Sequence, residues 1–244
     1  MNRNILFIAF VNIPLIMGEV ILEIMNREPG PIFVGIQGDP GHPHLRNGGF
    51  ALVQGQTEIV KAPNNWSGKI WPRTWCDEIT KECKTGDCGS KVECQGEGGK
   101  PPMIIVELSL NDWKGLDYYG ISLEYGMNLR AIIEPVVEDI QQQTNRTDCK
   151  TVQCLMNINS QCWSNISFPY GGQVIGCLSA CQAFDTDLFC CRGYHDRPET
   201  CKESVHSNLF KEICPDAYSY KFDSKKEVFT CKTKKYRIQF GVNY

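Results

Sequence analysis

Short apolar runs broken by Gly, Pro and Asn set the pattern from Val20 to Arg73, where VILEIM, PIFVGI, GFALV and TEIV follow one another with turn residues between them. Runs of this kind, bounded by turn formers, predict strands of an antiparallel sandwich, and no long amphipathic helix fits this region. After Pro101 and Pro102 the pattern resumes in MIIVELSL and YYGISLEYG, and it closes the chain between Tyr218 and Phe240. In KTKKYRIQF, Tyr236, Ile238 and Phe240 alternate with Lys235, Arg237 and Gln239, which predicts a half-buried strand with its charges on a solvated face. One helix is expected, because Val205, Leu209 and Ile213 recur every four residues and Pro215 follows. The chain thus divides into a sandwich core over 19–73, 108–153 and 215–244, a small stapled loop domain over 74–107, and a disulfide-rich domain with the helix over 154–214.

The first eighteen residues, MNRNILFIAFVNIPLIMG, place Arg3 before an apolar run from Ile5 to Met17 that ends at Gly18, the layout of a secretory signal peptide. The run is shorter than the roughly 20 apolar residues of a spanning helix, and Asn12 and Pro14 interrupt it, so no membrane span is expected. Sequons at Asn65, Asn145 and Asn165 fit export to the extracellular space, and so does the even count of fourteen cysteines. In an oxidising compartment that set reads as seven disulfides. Removing residues 1–18 leaves 226 of the 244, enough for a real core beside the bridges.

The stretch CKTGDCGSKVEC, residues 83–94, admits a nucleophile loop at Cys88, a zinc grip or a staple. No C-x-x-C occurs, and His42, His44, His195 and His206 stand at no ligand spacing from a cysteine pair, so no metal is expected. A nucleophilic Cys88 needs a partner base and a free thiolate, and no histidine lies between His44 and His195. Vicinal Cys190 and Cys191 cannot easily bond each other and must reach different loops. The net charge of −3, with Arg3 of the signal contributing one of the positive charges, argues against a phosphate-binding groove and hence against a nucleic-acid partner.

In chain order, SGKIWPRTWC (67–76), CKTGDC (83–88), Pro101 and Pro102, IVELSLN (105–111), LDYYGIS (116–122), CLSACQAFDTDLFCC (177–191) and CPDAYSY (214–220) resemble the thaumatin-like family of the pathogenesis-related group 5 type. PIFVGIQGDPGHPHLRNGGF (31–50) looks particularly like its arthropod and nematode members, while Ile79, Lys81 and Ser90 depart from its cysteine signature. The resemblance covers nearly the whole mature chain. It implies a mainly β, thaumatin-like antiparallel β-sandwich with two disulfide-rich excursions, one containing a short helix, in a secreted monomer with no cofactor. It also implies the pairs Cys76–Cys83, Cys88–Cys94, Cys149–Cys231, Cys154–Cys214, Cys162–Cys177, Cys181–Cys190 and Cys191–Cys201. The family's eighth bridge, from first strand to last, falls where Glu28 and Gly241 stand. The stretch EPVVEDIQQQTNRTDC (134–149) is longer than its family counterpart and is expected to be a surface loop.

Family members with antifungal or glucan-binding activity carry an acidic cleft of one Arg, one Glu and three Asp. The resemblance places the Arg at Arg73, the Glu at Glu107 and the last Asp at Asp216, but the remaining two at Gly120 and Tyr125, which are not acidic. Glu124 is adjacent, yet alternation along a strand points it to the opposite face unless a bulge intervenes. Glycoside hydrolysis needs two carboxylates about 5–9.5 Å apart, and Glu107 and Asp216 are the catalytic candidates left. Tyr125 offers an aromatic face for a sugar ring instead. The expected function is therefore defence by binding fungal cell-wall β-1,3-glucan or surface carbohydrate in the cleft. The alternatives are a weak endo-β-1,3-glucanase and a stable extracellular scaffold with a vestigial cleft. Intact-mass analysis of the secreted protein is expected to find no alkylatable thiol before reduction and fourteen after it; a free thiol or bound zinc in the native protein would overturn the staple reading.

Overall fold

The computed structural model describes residues 18–137, 149–157, 160–223 and 229–241. Asn145, most of the long 134–149 stretch and all of the signal segment but Gly18 lie outside the described residues. Along the chain run β1 (Glu19–Asn26), β2 (Ile32–Gly38), β3 (Gly49–Leu52), β4 (Thr57–Pro63), β5 (Ser67–Cys76), β6 (Cys83–Thr85), β7 (Ile105–Ser109), β8 (Asp117–Ser122), β9 (Ala131–Pro135) and β10 (Val152–Cys154). Then come β11 (Ser167–Tyr170), β12 (Gln173–Cys177), α1 (Ala180–Phe184), α2 (Asp187–Cys190), α3 (Val205–Ile213), β13 (Phe229–Cys231) and β14 (Lys235–Phe240).

Period-two burial in β1 and β14 puts every second side chain into the interior. One sheet has the order β10-β9-β14-β1-β4, a second and larger one runs β13-β8-β7-β5-β2-β3 with β6 added to β5, and β11 and β12 form a separate two-stranded sheet. Leu22, Ile24, Ile133, Ile238 and Phe240 from the first pack in one core with Val34, Ile36, Ile70, Val106 and Ile121 from the second. Each such burial is worth roughly 1.5–3 kcal/mol. The named ladders are antiparallel, as the pattern predicts, except that β1 and β14 pair in parallel. A parallel pair needs a crossover connection, and here nearly the whole chain serves as one.

The exposed side of β14 is more than a solvated face. Arg237 stands opposite Glu23 of β1 and Glu134 of β9 in the ladder and reaches both, at 3.5 and 2.8 Å, while Lys235 meets Glu23 at 2.6 Å. Inside, the Tyr236 hydroxyl donates to Asp117 at 2.8 Å and ties β14 to β8 across the sandwich. Where the family's first-to-last bridge is absent, a Cβ at Gly241 would lie 2.5 Å from Glu28 Oε1, so the glutamate side chain occupies that space.

Seven disulfides join Cys76–Cys83, Cys88–Cys94, Cys149–Cys231, Cys154–Cys214, Cys162–Cys177, Cys181–Cys190 and Cys191–Cys201, the pairs that the resemblance implies. The helix α3 starts at a Ser204–Ser207 capping box, which satisfies the first orphan amides. Its buried stripe differs from the expected one: Val205 is 64 % exposed, and His206, Leu209, Phe210 and Ile213 carry the packing. The cap makes Val205 the first helical residue, and the inward face begins one residue later. The short α1 and α2 were not expected; Ser179 and Thr186 cap them.

On its outer face the larger sheet carries the indole of Trp71, which lies across β2. A Cβ added at Gly35, opposite Trp71 in the ladder, would come within 2.2 Å of the ring. The segment after α3 is fastened to the same sheet's edge. Tyr218 N–H donates to Ile121 O and Leu123 N–H donates to Tyr218 O. Asp223, 2 % exposed, accepts from Ser219 N–H and Oγ and from Lys211 Nζ at 3.0–3.1 Å. Burial pushes the Asp223 carboxyl up, but these donors outweigh it and hold the group below the usual carboxylate range.

Gly35→Ala is expected to cost about 1–3 kcal/mol in chemical denaturation, the ordinary penalty of overpacking against a rigid ring; an unchanged midpoint would show that Trp71 can move aside. Because the Asp223 pKa is depressed on folding, its contribution is present above the unfolded value, about 3.9, and is lost as pH falls through the lower folded one. Asp223→Asn should therefore lower the unfolding free energy at pH 7 by on the order of 3 kcal/mol, seen as a lower Tm, with the gap to the wild type closing below pH 4. A gap that stays constant with pH would exclude the charged network.

Candidate functional site

Four strands bring one row of side chains onto the outer face of the larger sheet: Gln37 of β2 lies opposite Lys69 of β5, Lys69 opposite Glu107 of β7, and Glu107 opposite Gly120 of β8. Side chains two residues apart share a face, so Ser67, Ser109 and Tyr118 form the next row. Over these rows runs a groove of about 480 Å³ whose lining also includes Asp39, Asp112, Tyr218 and Phe229.

Lys69 Nζ stands 3.8 Å from Glu107 Oε1 and 5.8 Å from the centre of the Tyr125 ring, which places an ammonium between a carboxylate and an aromatic face. Asp39 accepts from Ser67 Oγ at 2.5 Å, and Asp112 accepts from Ser109 Oγ at 2.8 Å. Tyr218 lies over Gly120, where an added Cβ would sit 2.9 Å from its ring. Burial raises the Tyr218 hydroxyl pKa, with Glu107, Asp223 and Glu124 adding to the effect, so the phenol stays a hydrogen-bond donor at neutral pH. Asp39, Glu107 and Asp112 against Lys69 leave the lining acidic without any acid at 120 or 125.

Of the residues predicted for the cleft, Glu107 and Gly120 line the groove, and Tyr125 borders it through Lys69. Arg73 does not. Its parity on β5 matches that of Lys69, but its guanidinium is fully buried under the 74–104 excursion. There Nη1 donates to Lys91 O and Cys88 Sγ, Nη2 donates to Val34 O and Val92 O, and the cation lies 5.3 Å from the Phe33 ring centre. Burial lowers its pKa to about 10, partly offset by Asp87. Asp216 is also outside the groove lining, with its carboxylate 3.4 Å from Lys150 Nζ, which in turn lies 5.2 Å from the Phe229 ring centre at the groove's end.

Glu124 follows the end of β8 and lines a separate cavity of about 220 Å³ against α1, α2 and α3, which Tyr125 also borders. Asn65 and Asn165 are both exposed, the latter with Nδ2 3.3 Å from His206 Nε2. The sequence reading missed Lys69, although its even spacing from Arg73 on one strand was a usable signal. It also missed Tyr118, which its even spacing from Gly120 on β8 announces, and Asp39, Asp112 and Tyr218, which loops and a distant segment deliver and no local spacing announces.

The thaumatin family model matches residues 26–242. Pathogenesis-related protein 5 of Arabidopsis thaliana is 36% identical over 240 residues, covering 97% of this chain and 96% of that protein. Pathogenesis-related thaumatin-like protein 3.5 of Cryptomeria japonica is 37% identical over 226 residues, covering 91% and 90%. Among solved structures, a GH family 64 laminaripentaose-producing β-1,3-glucanase from Paenibacillus barengoltzii, complexed with laminarihexaose, aligns at a TM-score of 0.55 and 13% identity over 96% of this chain and 79% of that one. At that identity the likeness concerns the fold alone. With the family model spanning all but the chain's ends and such relatives matching almost its whole length, the chain belongs to the thaumatin family.

Proposed function

We propose that the protein is an exported, disulfide-stapled defence protein that binds fungal β-1,3-glucan or related cell-surface carbohydrate along the groove over Lys69, Glu107 and Gly120. The observation that carries this reading is the groove's chemistry. Tyr118, Tyr218 and the bordering Tyr125 offer faces for the C–H surfaces of sugar rings, and Asp39, Glu107, Asp112 and Lys69 offer acceptors and a donor for hydroxyls. Membership of a family with pathogenesis-related relatives supports the defence role, and the leader pattern, the sequons and the seven bridges support export.

Binding is favoured over hydrolysis, because of the two catalytic candidates only Glu107 lines the groove while Asp216 engages Lys150. Replacing Gly120 by Asp is no simple restoration of an acidic cleft, since the new side chain would displace the Tyr218 ring. Sedimentation with insoluble β-1,3-glucan, with cellulose and chitin in parallel and released sugar measured, tests the reading. The wild type should be retained on the β-glucan without releasing sugar. Tyr125→Ala should weaken retention about 2- to 13-fold, using roughly 0.5–1.5 kcal/mol as the scale of one aromatic contact. Lys69→Ala should weaken it in the same direction. Sugar release abolished by Glu107→Gln would turn the reading to an enzyme, and absence of retention would sink it.

A further inference from the structure

A cavity of about 400 Å³ opens at the other end of β5, between the β1–β2 turn at Glu28, the strand end Thr74–Cys76 and the start of β12 at Gln173. Its volume falls within the ordinary range of small-ligand sites, roughly 300–1,000 Å³. One wall is Trp75, which is 46 % exposed and held at φ 56°. A bulky residue in left-handed backbone is disfavoured, and so is a large apolar ring left in water. Strain of this kind is kept where a site uses the side chain it displays. Tyr170, 44 % exposed, packs against the indole in a T-shaped contact with ring centres 5.8 Å apart, which props a ring that remains nearly half exposed.

The rest of the lining narrows the ligand class. Glu28 is the one ionisable side chain in it, beside the Gln173 amide and small or aliphatic neighbours, and the other polar side chains, Asn128 and Thr74, are spent on hydrogen bonds to Ile104, Pro72 and Thr85. A charged ligand has no cluster of opposite charge to meet, and a hydrocarbon would strand the carboxylate. A pyranose with equatorial hydroxyls fits both halves, because its C–H face lies flat on an indole and its hydroxyls donate to a carboxylate and exchange hydrogen bonds with an amide.

We propose that this cavity is a second carbohydrate site, in which Trp75 stacks one ring of a neutral gluco-configured glycan while Glu28 and Gln173 hold its hydroxyls. The site is independent of the groove. Two sites at opposite ends of one strand let a single molecule engage a polysaccharide twice, which raises its retention without any new contact.

The five tryptophans make the test direct. In the intact, disulfide-bonded protein labelled with 5-fluorotryptophan, the Trp75 ¹⁹F resonance is assigned by its loss in Trp75→Gly, a variant whose residue suits φ 56° and so should fold. Trp113, 64 % exposed and next to the groove-lining Asp112, is assigned through Trp113→Phe and reports on the groove. Laminarihexaose and cellohexaose are the probes. The Trp75 line is expected to shift saturably with at least one of them, and Tyr170→Ala should raise the apparent Kd about 2- to 13-fold. A shift of the Trp75 line without the Trp113 line would support this site against the groove. A shift of the Trp113 line alone would overturn this site and leave the groove reading standing, and no shift of the Trp75 line with either sugar overturns the proposal.

Discussion

The buried guanidinium of Arg73 is the interaction on which the outer face of this protein depends. A cation with no exposed surface needs acceptors on its protons, because an uncompensated buried charge costs several kcal/mol. Here the acceptors are mainly backbone carbonyls from two places: Val34 on the neighbouring strand, and Lys91 and Val92 in the loop closed by Cys88–Cys94. Satisfying its two terminal nitrogens therefore clamps the stapled loop onto the sheet, while the buried Nε is left without an acceptor. The stretch CKTGDCGSKVEC, which could have been a nucleophile loop or a metal grip by its letters, serves as the lid over Arg73 and Trp71. The groove begins where that lid stops, at Lys69.

The far side of the groove is made by a different device. Lys211 on α3 and Asp223 hold the intervening segment, and Tyr218 is bonded to β8 at Ile121 and Leu123. Its ring can lie on the sheet only because residue 120 has no side chain. Gly120 is therefore part of the site by subtraction: an aromatic ring occupies the place where the family resemblance expects an acid. The lost negative charge is replaced by Asp39 and Asp112, which come from loops and are steadied by Ser67 and Ser109. The groove keeps an acidic character while its chemistry moves toward aromatic contact.

Chain ends and bridges show the same substitution of one constraint by another. The parallel pairing of β1 with β14 joins the two ends of the chain through backbone hydrogen bonds, and the row of Glu23, Arg237 and Glu134 reinforces it from outside. Glu28 fills the space beside Gly241 where a bridge would otherwise have sat. A closure made by a ladder and a core needs no covalent tie at its margin.

The sequence by itself determined the sandwich, because period-two alternation and turn residues are local properties that a strand cannot evade. Through the resemblance that its cysteine-bearing blocks carry, it also implied the disulfide pairs that the structure contains. The helix over Val205–Ile213 was legible as an element but not in its inward face, since the Ser204 cap, and not the spacing of Val205, decides where helical geometry begins. The candidate site was legible only in part. Arg73 and Lys69 have the same parity on one strand, and nothing local says which of them is roofed by a loop folded back from about twenty residues away. Asp39, Asp112 and Tyr218 join Glu107 in the groove lining from three separate segments. Their meeting is a property of loop closure and sheet order, so only the tertiary structure decided which side chains share the groove and which are spent holding it open.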